Sequence, residues 1–229
     1  MLSVALLTVA AGAGGARAGR PRTASACPTP DGHVLLADHR AALYTVRARR
    51  ARRLERSRYV EQVIETRGCA YGGRRSFQIW EQPGIPPTEE NAGIDHLVLS
   101  GTVAAYEEWL DEATRYTPEG TEVREEWHVV VRDLRSGRVL RRVPTAVAER
   151  PMWVGDGYTT HIVVKDDGAV AWIVRDGAVG QEKYEVHALD KTGERILATG
   201  ADIDRDSLAL ARGTLYWTQG GKPYSAPLI

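Results

Sequence analysis

Three histidines stand at one recurring place in this chain. His33 precedes Val-Leu-Leu-Ala, His96 precedes Leu-Val-Leu-Ser and His161 precedes Ile-Val-Val-Lys, while Ser207 takes the same place before Leu-Ala-Leu-Ala. Imidazoles at equivalent positions of repeated units can converge, and three of them with one open position form a catalytic or ion-binding zinc set. A metal-bound histidine ordinarily has a carboxylate or carbonyl to orient its ring, and no Asp or Glu stands at a matching position here. The plainer reading is that each His caps a strand start by bonding a neighbouring loop. Beyond this candidate metal set no cofactor is expected. Asp202, Asp204 and Asp206 have the D-x-D-x-D spacing of a calcium loop, but Ser207 follows where that loop needs Gly and Gly213 stands where it needs Glu. A solvated acidic connection is the expectation for them.

The second group is electrostatic. Residues 47–58, RARRARRLERSR, carry seven arginines against Glu55, and the acidic stretch 107–126 carries Glu107, Glu108, Asp111, Glu112, Glu119, Glu122, Glu125 and Glu126 against Arg115 and Arg124. Formal net charge is zero, yet residues 1–80 hold fourteen arginines against five acids and the remainder carries the opposite excess. Clustered arginine neutralises phosphate and other polyanions. Aromatic residues do not interleave with the run, so nucleic acid is not expected. Arg49, Arg50, Arg52 and Arg53, with Trp109 and Trp127, are the candidate contact residues of a binding face. If the basic and acidic excursions lie side by side they are expected to pair with one another, a network worth more than isolated surface pairs. Tyr44, Trp80, Tyr106, Trp109, Trp127, Trp153, Trp172, Tyr184, Tyr216 and Trp217 would suit a sugar platform, but most sit within strands, which makes packing between sheets the plainer reading. No G-x-S-x-G, Walker loop, C-x-x-C or H-E-x-x-H occurs.

Compartment follows from the leader and the cysteines. Residues 2–16, LSVALLTVAAGAGGA, are apolar but too short and Gly-rich for a span of about 20 residues. They read as a secretory signal over 1–26, with Ala24-Ser25-Ala26 as the cleavage site before Cys27, and cleavage after Ala18 as the alternative. Cys27 and Cys69 are the only cysteines, and in an exported domain such a pair is expected to form a disulfide. A secreted or envelope protein with no transmembrane span in its mature form is therefore expected.

The elements that must position these groups are strands. SLALARGTLYWT at 207–218 has looser copies, HLVLSGTVAAYEEW at 96–109 and HIVVKDDGAVAWIV at 161–174. Each reads as strand, tight turn at Gly213, Gly101 or Gly168, and second strand. A further pair of strands follows in each unit, joined at 133–137 and at 190–193 by D-x-(x)-[ST]-G, where Asp bonds the turn backbone and Gly takes positive φ. Residues 33–80 form a first unit with Arg40 in the place of the turn glycine, and the last unit lacks a fourth strand. The runs 47–58 and 107–126 read as charged excursions between second and third strands.

Four units of three or four antiparallel strands make residues 27–229 one all-β, β-propeller-like domain of about four blade-like units, open or incomplete as a ring; a β-sandwich is the rival. Leu215-Tyr216-Trp217-Thr218 resembles the core of YWTD-type blades. With the SLAL and VxDLxxGxxL patterns around it, the chain is similar to secreted bacterial proteins with TolB-like or NHL-like propeller repeats. That resemblance implies a propeller without an assigned activity. The functional expectation is a non-catalytic exported binding or scaffolding module for a macromolecular or glycan partner. The alternatives are a propeller hydrolase, lactonase or lyase with a channel metal on His33, His96 and His161, and a carbohydrate-binding lectin.

Overall fold

The computed structural model describes residues 27, 32–54, 57–73, 75–82, 91–117, 120–151, 158–176 and 180–229. The signal expected over 1–26 lies outside them. Among the described residues, strand propensity and short Gly turns yield fifteen strands and no helix. They form four antiparallel sheets, each a simple meander in chain order. Sheet 1 is β1 (His33–Ala37), β2 (Ala41–Leu54), β3 (Ser57–Ala70) and β4 (Phe77–Gln82). Sheet 2 is β5 (Asn91–Ser100), β6 (Val103–Thr117), β7 (Gly120–Asp133) and β8 (Val139–Pro151). Sheet 3 is β9 (Thr159–Val164), β10 (Val170–Asp176), β11 (Lys183–Asp190) and β12 (Gly193–Gly200). Sheet 4 has only three strands, β13 (Ala209–Ala211), β14 (Thr214–Gln219) and β15 (Lys222–Pro227).

Alternation along the second and third strands decides how the sheets stack. On β6 Val103 and Ala105 face sheet 3 while Ala104 and Tyr106 face sheet 1, and on β10 Val170, Trp172 and Val174 face sheet 2 while Ala171 and Ile173 face sheet 4. Both faces of these strands are buried, which is why their sequences read as continuous apolar runs rather than alternating ones. Three successive cores result, with Trp172 fully enclosed in the second and Trp217 and Leu215 in the third. Each fully buried Leu, Ile or Val side chain contributes about 1.5–3 kcal/mol.

The turns behave as their chemistry dictates. Asp133 accepts from Arg135 N at 3.0 Å and from Ser136 Oγ at 2.7 Å, and Gly137 follows at φ 75°. Asp190 accepts from Thr192 N at 2.9 Å before Gly193 at φ 102°. In the first unit Arg40 replaces the turn glycine for a different reason. Its guanidinium lies over Gly101, in the β5–β6 turn, and donates to Asp166 Oδ2, in the β9–β10 turn, at 2.8 Å. One side chain thus links the corresponding turns of sheets 1, 2 and 3.

Two expectations are corrected. The runs 47–58 and 107–126 are not excursions between strands: 47–54 continues β2, 57–58 opens β3, and 107–126 lies on β6 and β7 apart from residues 118 and 119. Arginine and glutamate break apolar alternation, so composition hides the strand, whereas cross-strand pairing maintains it. The disulfide is as expected, joining Cys27 to Cys69 of β3 beside Ala42 and Tyr44 on the face of sheet 1 turned away from sheet 2.

Candidate functional site

The β2–β3 hairpin stays in register over its whole length, from Ala41 opposite Ala70 to Leu54 opposite Ser57. β1 follows it only as far as Thr45 and β4 only as far as Ile64. Beyond those points, among the described residues, β2 and β3 pair with each other alone and form a two-stranded ribbon. At about 3.4 Å per residue, residues 48–54 extend roughly 24 Å. Residues directly opposite share a face, so the register divides the arginines.

One face is internally neutralised. Arg50 Nε donates to Glu81 Oε2 at 3.0 Å, and its Nη2 pairs with Glu65. Arg52 Nε donates to Glu61 Oε2 at 2.9 Å and its Nη2 pairs with Glu81. Arg67 Nη1 reaches the other oxygen of Glu65 at 2.5 Å. Glu65 stands directly opposite Glu81, and the arginines resolve that like-charge contact. Glu65 is only 1% exposed, so its pairing is required: a buried carboxylate without partners would be strongly destabilising. The hydrogen bonds to Glu61 and the field of Glu81 push the Arg52 guanidinium further up.

The opposite face is different. Arg47 faces Ile64, Arg49 faces Gln62, Ala51 faces Val60, and Arg53 faces Arg58. All eight residues are exposed, Val60 at 66% and Ile64 at 45%. No acidic residue is among the eight. Of the four arginines singled out by sequence, Arg50 and Arg52 therefore serve the fold, and Arg49 and Arg53 belong to an open cationic face that also includes Arg47 and Arg58. The signal was present in the sequence as odd and even numbering within the run, but only the register assigns the two sets.

Three charged residues of the 47–58 run and the 107–126 stretch have partners within their own sheets. Arg50 and Arg52 pair within sheet 1, and Glu108 pairs with Arg142 of its own sheet at 3.0 Å. Neighbouring strands lie about 4.8 Å apart and stacked sheets about 10 Å apart, so partners in the same sheet are nearer. The side chains of residues 111–125 lie outside the described set.

A second group lies between sheets 2 and 3. Glu107 on β6 is 1% exposed and accepts from Thr159 N at 2.5 Å. Burial pushes its carboxyl up to about 7, against the opposing effect of the Thr159 bond, and Asp95 raises it further. His96 occupies a bulge in β5 at φ 50°. Its imidazole is held below the ordinary range by burial and by His161, while Asp95 and Asp206 act in the other direction. Trp109 Nε1 donates to Asp95 Oδ2 at 3.1 Å, and its ring lies 6.0 Å from Trp127, which lies 6.2 Å from Tyr158. Arg175 sits 5.4 Å from the Tyr158 ring centre and donates to its hydroxyl at 2.9 Å. Trp109 and Trp127 are thus half-buried members of a wall between two sheets. No residue with an anomalous burial pattern in the sequence announces Glu107, which lies at the end of an apolar run and the start of an acidic one.

The three histidines occupy unequal places. His33 is the first residue of β1, His96 lies inside β5 at its bulge, and His161 is the third residue of β9. His96 and His161 are electrostatic neighbours, joined by Asp206 of the connection to sheet 4. Among the described residues no group of three or more His, Cys, Asp or Glu is placed to hold a metal ion. Asp202 accepts from Gln219 Nε2 at 2.9 Å and Asp204 from Asp206 N at 3.1 Å, so this acidic run seats sheet 4 through its turns. At the other strand end, a cleft of about 440 Å³ lies among Arg141, Lys165, Asp167, Asp190, Lys191 and Ile229. Asp190 is committed there to Arg195 and to the Ile229 N–H, and the Arg195 hydrogen bond, with those from Thr192 and Ile229, holds its carboxyl far below the usual range.

No helix of the described residues is long and apolar enough to cross a membrane. No family model, no curated protein and no solved structure matches this chain.

Proposed function

We propose that the chain is a non-catalytic, exported binding module with propeller-like stacking of its four sheets, and that its contact surface is the open face of the β2–β3 ribbon. The observation that carries this reading is the division of one arginine run into a neutralised face and a cationic one. Arg50, Arg52 and Arg67 meet Glu61, Glu65 and Glu81, whereas Arg47, Arg49 and Arg58 stand exposed on a face to which the described residues of the hairpin contribute no carboxylate. The disulfide supports the exported part of the reading, since such bonds persist in oxidising compartments.

The test is retention on a dextran sulfate matrix. The folded chain is expected to bind and to elute with rising salt, and Arg47→Gln with Arg49→Gln and Arg58→Gln to weaken retention. Passage of the native protein through the matrix at low salt would overturn the reading. The enzymatic alternative has Glu107, His96 and His161 as its best acid–base set, but Glu107 is enclosed and offers no surface to a substrate. A glycan reading is favoured by the half-buried Trp109–Trp127–Tyr158 wall with Asp95 and Arg175 beside it. It requires a change in tryptophan emission on adding oligosaccharide.

A further inference from the structure

We infer that the anionic partner of the open ribbon face is a phospholipid surface; this rests on the binding reading above. Charge alone fits any polyanion, so the discriminating observation is apolar. Val60 and Ile64 project from the same face as the arginines, 66% and 45% exposed, Val60 on the two-stranded part of the hairpin and Ile64 beside Gln82 at the end of β4. Arg47 stands opposite Ile64, and Val60 stands between the Arg49–Gln62 and Arg53–Arg58 rungs. Two branched apolar side chains held in water among guanidinium groups gain nothing from a hydrated acidic polysaccharide, which brings no apolar surface to cover them. A bilayer interface supplies both needs. Phosphate oxygens accept from the planar guanidinium forks, and the boundary between headgroups and acyl chains takes the Val and Ile side chains. The face carries no ring on which a nucleobase could stack. Bound in this way, the protein lies on an anionic leaflet without spanning it.

The rest of the ribbon is suited to the task. A two-stranded hairpin is marginal on its own in water, and here the Arg50–Glu65–Arg67 and Arg52–Glu81 pairs brace its other face. The contact face can therefore hold its arginines and apolar side chains in place before contact.

The experiment is co-sedimentation of the full disulfide-bonded chain with vesicles of phosphatidylcholine alone and of two parts phosphatidylcholine to one part phosphatidylglycerol. Sedimentation with the anionic vesicles and not with the neutral ones is expected, decreasing with added salt. Each of Arg47→Gln, Arg49→Gln and Arg58→Gln should lower the partition coefficient about fivefold. Val60→Ser with Ile64→Ser, which leaves charge unchanged, should also lower it. Far-ultraviolet circular dichroism checks that each variant is folded, and Arg135→Gln, in the exposed β7–β8 turn, serves as a control of equal charge change. Retention on dextran sulfate without vesicle binding, or vesicle binding indifferent to Val60→Ser with Ile64→Ser, overturns the lipid inference and leaves the anion-binding reading standing. Failure on both matrices overturns both. Equal binding to neutral vesicles also overturns the inference.

Discussion

Replacing Glu107 by glutamine should stabilise the protein, and only above the acid range. In the folded chain burial raises this carboxyl from 4.5 to about 7. The folded state therefore holds a proton that the unfolded chain releases, and stability falls as pH rises between those two values. A shift of this size corresponds to about 3 kcal/mol once the group is ionised in both states. Glutamine keeps an oxygen to accept the Thr159 N–H bond and carries no charge to bury. The difference in unfolding free energy between Glu107→Gln and the native chain should thus be small at pH 4.5 and approach about 3 kcal/mol in favour of the variant at pH 8. For a chain of this length that is roughly 6–12 °C in Tm. His96 works in the opposite sense: its depressed imidazole contributes stability above its ordinary range that is lost as pH falls. It is common to both proteins, so the comparison isolates Glu107. Urea unfolding followed by tryptophan emission at pH 4.5, 6, 7 and 8 measures the difference. A variant whose relative stability does not change with pH would refute the burial argument.

Three further outcomes follow from the same geometry. Arg50→Ala removes a charged partner of enclosed Glu65 and should cost about 2 kcal/mol, while Arg49→Ala, one residue away on the open face, should stay within about 0.5 kcal/mol; paired denaturation curves decide it. The Cys27–Cys69 link spans 42 residues, so Cys69→Ser, compared with the oxidised native chain, should cost about 4 kcal/mol in the chain-entropy treatment, visible as a lower urea midpoint. Gly137 has φ 75° and a methyl group there would meet the Phe77 ring, so Gly137→Ala should lose about 2 kcal/mol in the same assay; an unchanged midpoint would mean that the turn relaxes.

Much of the fold was legible because its signals are local. Asp133 with Gly137 and Asp190 with Gly193 write their hairpins into a few residues, and the three copies of strand, Gly turn and strand disclose the repeat before any packing is known. The ribbon was not legible, since alternating apolar character is the usual mark of a strand and Arg47 to Arg53 lack it. What makes that stretch extended is its partner, β3, and which arginine faces which way is a property of register. The recurring histidines illustrate the same limit. His96 and His161 do come near each other, but the β5 bulge and the two residues of β9 before His161 displace them from one equivalent place. Glu107 was named among acids expected to pair with the basic run; only stacking of sheet 3 on sheet 2 encloses it.

The chain-order stacking of the sheets also sets an order in time. Cys69 lies in the first sheet and Cys27 packs on its face, so their bond can close while the acidic half of the protein is still being made, and each later sheet finds its packing surface already complete. The Arg40–Asp166 link is the exception, joining residues 126 apart. Arg40 must wait for the third sheet, which makes its bond to Asp166 a marker of how far assembly has proceeded.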